Sequence, residues 1–438
     1  MSPSKRTVLL LLPILLGFVL GAAVRSQARE QSPTPEVECT KASSHQREAG
    51  PSWQAELERT DRAIERFERV ATRTPSSWLD RQRAADTLMV RARLTGSYDD
   101  YARAERHLEQ AMAVAPEGGG PILSTASLHF TLHRLDAANA ELERVAALHP
   151  LVRPRPDVLL QRRGALALQV GNYEEARQLL EEAAELEQSL GNLSTLALWH
   201  WKTGDLETAE ALYDAAEETY RGRSTEPRAW LDLQRGLLDL DRGRYREALG
   251  HYRDAERDLP GWYLVDEHIA EVVRLLGDRE EARSIYLRVV ASTGNPEFMD
   301  ALADMAKEDG DQAGERAWTR RAREAYEAQL LRFPEAASGH ALEHFLDSGE
   351  RPDRALNIAR QNHVNRPNGE AKTLLARAAL AAGELGEAQA AVEDALASAW
   401  RTADLHAVAA DVYGSLGDST TAAQQARLAL QINPRALD

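Results

Sequence analysis

Residues 171–183 read GNYEEARQLLEEA, and the same frame returns as GRYREALGHYRDA at 243–255 and GDREEARSIYLRV at 277–289. Each opens on glycine, places alanine five residues later, a bulky residue four after that, and alanine or valine three further on. Apolar side chains three and four apart occupy one face of a helix. Anchoring on the alanine extends the frame along the chain, through Ala63, Ala104, Ala138, Ala176, Ala209, Ala248, Ala282, Ala322, Ala355, Ala388 and Ala422. Successive gaps are 41, 34, 38, 33, 39, 34, 40, 33, 33 and 34. A period near 34, stretched in places by loop insertions, predicts a solenoid of stacked units.

Other positions recur with the anchor. Five before it stand Gly171, Gly204, Gly243, Gly277, Gly383 and Gly417, suited to a tight turn between two helices. Small residues twelve before it, such as Gly164, Ala197, Gly236 and Ala376, let antiparallel helices approach closely. Prolines twelve after it, among them Pro116, Pro260 and Pro367, end the second helix. On these residues the chain resembles tetratricopeptide repeat proteins over roughly 53–435. The resemblance implies an all-α fold, a right-handed α-solenoid of about ten to eleven helix pairs, with a concave groove lined by the first helices. It also implies binding of an extended peptide or protein surface, without catalysis and without a cofactor. Two units depart from the pattern. The one around Ala322 carries an insertion, GDQAGERAW at 310–318, that lengthens its second helix. The one around Ala355 has Glu343 where a small residue belongs.

The chain has 438 residues, 43% hydrophobic and 28% charged, a globular composition. Its formal net charge of −16 disfavours nucleic acid as a partner. A single cysteine, Cys39, excludes an internal disulfide framework and a cysteine-based zinc site. At the amino terminus, Lys5 and Arg6 precede an uncharged apolar run from Val8 to Val24. This predicts a signal peptide or membrane anchor over 1–28, with the rest exported to the periplasm or the outer face of the cytoplasmic membrane. Residues 29–52 are polar, contain Pro33 and Pro35, and read as a flexible linker. N-terminal repeat-like helices are expected over 53–116 and the solenoid proper over 117–438. The membrane is then met only through the N-terminal segment.

Positions fifteen and eleven before each anchor share the groove-facing side of a first helix. Mid-array these are Glu267 and Glu271, with His268 beside them. In the next unit, aligned through Ala303 because of the insertion, they are Asp300 and Asp304, with Glu297 one turn earlier. His340 and His344 follow, then Glu370 and Lys372. Nearer the amino terminus the same face carries Trp201 and Trp230. An apolar arm beside an acidic arm suits a peptide with hydrophobic and basic residues.

The stretch SGHALEHFLDSG at 338–349 also spells H-x-x-E-H through His340, Glu343 and His344, the zinc-binding pattern of inverted zincins. A helical repeat lacks the surrounding domain of those enzymes, so His340 and His344 are read as groove residues. A metal-binding protein or metallohydrolase centred on them is the alternative from another class. A structural subunit of an envelope secretion or polysaccharide-export assembly is a third. Gly349 lies six residues before Ala355 where other units have five. A one-residue slip would turn Glu343 toward the groove, with the histidines on its flanks.

Overall fold

In the computed structural model, residues 50–150, 153–222, 224–348 and 351–437 are described. The apolar run of 1–28, Cys39 and nearly all of the linker lie outside them. All regular structure among the described residues is helical. The first half runs α1 Trp53–Arg73, α2 Trp78–Thr95, α3 Tyr98–Val114, α4 Ile122–Thr131, α5 Leu135–Ala146, α6 Pro156–Gln169, α7 Tyr173–Leu186, α8 Leu190–Lys202, α9 Leu206–Thr219 and α10 Glu226–Asp241. It continues with α11 Tyr245–Asp258, α12 Tyr263–Leu275, α13 Arg279–Thr293, α14 Pro296–Glu308, α15 Gln312–Arg332 and α16 Pro334–Asp347. The array ends with α17 Pro352–Asn365, α18 Gly369–Ala381, α19 Leu385–Ala397, α20 Ala403–Ser415 and α21 Ser419–Ile432. Even-numbered helices pair with the odd-numbered helix that follows, from α2 with α3 to α20 with α21, and α1 packs on α2 ahead of the first pair. No helix among the described residues is long and apolar enough to cross a membrane.

The turn chemistry explains the pairing. Gly277 takes φ 102°, a left-handed conformation that a side chain would strain. The next residue, Asp278, accepts a hydrogen bond from Glu281 N at 3.0 Å and caps α13. Asp205, Asp311 and Asp418 cap α9, α15 and α21 in the same way. Between the helices of a pair, the anchor alanines Ala176, Ala209, Ala248, Ala282, Ala322, Ala355 and Ala388 are fully buried. A Cβ on Gly236 would lie 2.2 Å from the Tyr252 ring, so only glycine admits that ring. The insertion at 310–318 does lengthen the second helix of its unit. α15 has 21 residues, against 14 in α9 and α11.

First helices of successive pairs lie against one another, α6 with α8, α14 with α16 and α18 with α20, which puts them on the inside of the curve. The curve then closes on itself. Trp262 Nε1–H donates to Arg93 O at 3.2 Å across 169 residues of sequence. Gly369 N–H donates to the Tyr173 hydroxyl at 2.6 Å across 196, and Arg366 Nε to Gln169 Oε1 at 3.1 Å across 197. Arg401 N–H donates to Lys202 O at 2.9 Å. On a period near 34, separations of 169 to 197 correspond to between five and six repeats per superhelical turn. The second turn therefore stacks on the first, and the inner face is enclosed.

One buried acid inside the first turn gives a stability test. Asp86 of α2 sits where Gln82 Nε2 donates to Ser124 Oγ of α4 at 2.9 Å. Burial pushes its carboxyl up to about 6, against the lowering effect of Ser124 and Gln82. A raised acid favours the protonated fold, so its penalty is absent below the ordinary Asp value of 3.8 and grows as pH rises through 6. Asp86→Asn is expected to raise unfolding free energy by about 3 kcal/mol at pH 8. The gain should vanish near pH 4, as urea titrations at the two pH values would show.

Candidate functional site

The enclosed inner face is lined by carboxylates with a few cations among them. On α12, Glu267 and His268 are 5% and 2% exposed. His268 Nε2 lies 2.9 Å from Glu267 Oε1, and its Nδ1 lies 3.3 Å from Glu271 Oε2. Burial alone would lower the His268 pKa, but the two carboxylates outweigh it and hold the imidazolium above the usual histidine range. Burial pushes Glu267 the other way, toward its protonated form.

On α14 and α16, His344 Nδ1 lies 2.8 Å from Asp300 Oδ1, and the ring packs against Tyr326 and Phe345. His340 Nδ1 lies 3.7 Å from Glu297 Oε2. Its pKa is lowered by burial, which keeps the imidazole neutral. Glu343 faces Arg377 of α18 at 3.3 Å, and Arg377 also binds Asp347 at 2.9 Å. Burial nevertheless raises the Glu343 carboxyl well above the usual range. Glu370 accepts from Arg366 at 2.8 Å.

Several expected placements are corrected. Trp201 and Trp230 do not form an open apolar wall; each is 2% exposed, because the winding of the solenoid encloses them. Trp201 instead donates Nε1–H to Asp241 at 2.8 Å. Lys372 leaves the inner face for Asp394 on α19, at 2.8 Å. α17 begins five residues after the end of α16, where the second helix begins four residues after the end of α6, α8, α10, α12, α18 and α20. That extra residue produces the one-residue slip. Leu342 is fully buried in the packing position, and Glu343 turns inward.

The H-x-x-E-H residues consequently do not converge on one point. Each histidine is engaged by a different acid of α14, and Glu343 is engaged by an arginine. Among the described residues, the set of three or more ligand-type side chains close enough to share an ion is Glu267, His268 and Glu271. Sequence reasoning also missed Lys202, Tyr252 and Arg366. Lys202 carried a signal as one of only five lysines in the chain, and Tyr252 only the packing signal of the bulky residue four after Ala248.

Where the inner face reaches solvent, a cavity of about 370 Å³ opens between α14, α15 and α16. Asp300, Asp304 and Asp347 supply its acidic side, and Arg316, Arg320 and Arg323 of the lengthened α15 supply its basic side. Arg316 and Arg320 are exposed.

The architecture defines the class, an α-solenoid of antiparallel helix pairs wound around an acidic interior. A family model described as tetratricopeptide repeat matches residues 159–190, which cover most of α6 and all of α7. The match, and the same frame recurring along the array, identify the helix pairs as tetratricopeptide-type repeats. No curated protein matches it in sequence. Solved structures of similar fold include a monomeric mutant of IFIT1 with Gppp-AAAA, at 13% identity over 81% of this chain and 90% of that one, TM-score 0.42. Pseudomonas aeruginosa pilF matches at 18% over 48% and 92%, TM-score 0.34. A tetratricopeptide repeat protein from Parabacteroides merdae matches at 18% over 56% and 93%, TM-score 0.34.

Proposed function

We propose that the chain is an exported scaffold that holds a basic segment of a partner protein at the cavity between α14, α15 and α16, with no reaction there. The observation that carries this reading is the cavity itself, the place where the carboxylate-lined inner face opens to solvent. A lysine or arginine of the partner would meet Asp300, Asp304 and Asp347, while Arg316 and Arg320 would take a neighbouring carboxylate or carbonyl. A volume of about 370 Å³ suits one or two side chains of an extended segment. The formal charge of −16 steers basic partners toward the surface and repels nucleic acid. Export is supported by the apolar run from Val8 to Val24 behind Lys5 and Arg6.

The test is a photo-reactive residue at Thr319, which lines the cavity, followed by irradiation of the producing cells and fractionation. The expected result is one protein adduct in the envelope fraction, weakened about tenfold in Asp304→Asn/Asp347→Asn and by raised salt. An RNA adduct, or a protein adduct indifferent to the two substitutions, would overturn the reading.

A further inference from the structure

We propose a second site, sharing no residue with the cavity lining, in which Glu267, His268 and Glu271 of α12 bind one divalent transition-metal ion of the zinc type. Their ligand atoms, one from each residue, all lie within 4.8 Å of one another. The donor set is one imidazole nitrogen and two carboxylate oxygens, the borderline chemistry that zinc accepts and that soft, thiolate-seeking ions do not.

The local geometry is that of two ligands facing a shared point. Glu267 Oε1 and His268 Nε2 are 2.9 Å apart, yet both are buried and neither makes an aligned hydrogen bond. An ion at about 2.0–2.1 Å from each atom would subtend an angle of about 90° at that spacing, a normal angle between neighbouring ligands of a five- or six-coordinate ion. Glu271 Oε2 rests 3.3 Å from the other ring nitrogen. Its side chain is about a quarter exposed, which gives it room to rotate and gives the ion a way in.

A separate side chain packs against the same cluster. Tyr252 of α11 stacks on the His268 ring with centroids 5.4 Å apart. Its hydroxyl is fully buried and makes no hydrogen bond, and the carboxylates acting on it most strongly are Glu271 and then Glu267. A buried hydroxyl without a partner is costly, and Gly236 behind the ring fixes where it sits. An ion with its bound water would give that hydroxyl a partner and hold the imidazole plane, the supporting role that neighbours of metal ligands commonly play. An ion of charge +2 would also neutralise the two carboxylates, which stand in a mostly buried site.

The chain has 12 histidines, so bulk zinc uptake alone decides nothing. Untagged full-length protein, stripped with chelator, is titrated calorimetrically with zinc chloride, and separately with cobalt chloride while the visible spectrum is read. We expect one zinc per chain, a rise in melting temperature with zinc, and cobalt bands from a site holding one nitrogen. Glu271→Gln and His268→Gln should each weaken zinc binding at least about tenfold, and Tyr252→Phe should weaken it by about 10- to 100-fold. Circular dichroism reports whether each variant folds. If His268→Gln does not, Glu271→Gln decides, since that side chain is partly exposed. Absence of stoichiometric zinc in the wild-type protein, or equal affinity in Glu271→Gln, would overturn the proposal.

Discussion

Trp262→Ala is expected to lower the free energy of unfolding by about 3–5 kcal/mol, the range for truncating a fully buried aromatic side chain. Trp262 is 1% exposed and sits in the turn between α11 and α12, with its indole N–H on Arg93 O. The same turn receives the start of the array. Gly50 N–H donates to Arg257 O and Trp53 N–H to Pro260 O, both at 2.9 Å. Next to it, a Cβ on Gly96 would come within 3.2 Å of the Tyr263 hydroxyl. In a solenoid whose units touch only their sequence neighbours, the damage would stay within α10 to α13. Here it should also reach α1 to α3, roughly five repeats away, because the two superhelical turns meet at Trp262. Urea titration gives the energy, and amide hydrogen exchange gives the location. Unchanged protection in α1 to α3 would mean the turns do not support each other. Leu331→Ala serves as the control. That side chain is 86% exposed, so its loss should change stability by less than about 0.5 kcal/mol.

The difference between local and distant contacts also marks what could be read from the chain. The anchor alanines were legible because each one packs against the partner helix of its own pair, a relation set within about 34 residues. Ala63 and Ala422, at the two ends, are only half-buried because each has a neighbouring unit on one side alone. The stacking of the turns was not legible. It sums small rotations over five or six units, and the insertions before Ala104, Ala176, Ala248 and Ala322 alter that sum. The periodicity therefore puts Trp201 and Trp230 on an apolar arm of the groove, and the winding encloses them. Glu343 was legible as an anomaly, and the position of Gly349 pointed to its cause, but only the spacing from α16 to α17 settled which way the side chain faces. The ion-pair partners of the inner face come from different helices, as with Arg377 and Glu343. Surface chemistry of that kind has no period for a sequence pattern to show.

Lys202 is the clearest case of a residue whose role comes from winding alone, and Lys202→Met is the second change expected to have a large effect. Its ammonium is completely buried at the end of α8, 3.5 Å from Asp241 Oδ2 and 3.7 Å from the centre of the Trp201 ring. Burial lowers its pKa, while Asp241, Glu370 and Asp404 act to keep it charged. Those last two acids belong to the second superhelical turn, so one cation serves carboxylates from both. Removing it leaves Asp241 facing Trp201 without a counter-charge, a loss of about 3–5 kcal/mol for a buried pair broken on one side. Replacing both charges in Lys202→Met/Asp241→Asn should restore most of that, since a buried pair exchanged for neutral groups is often near neutral in cost. The backbone bond from Arg401 N–H to Lys202 O is untouched by either change, so the comparison isolates charge from closure. Burial raises the Asp241 carboxyl, and a raised acid loses stability as pH rises. The penalty in Lys202→Met should therefore be full at neutral pH and shrink as Asp241 takes up a proton in acid. A double variant no more stable than Lys202→Met at pH 7 would show that Lys202 holds the turns together by packing against Trp201 and Trp400, with its charge adding nothing.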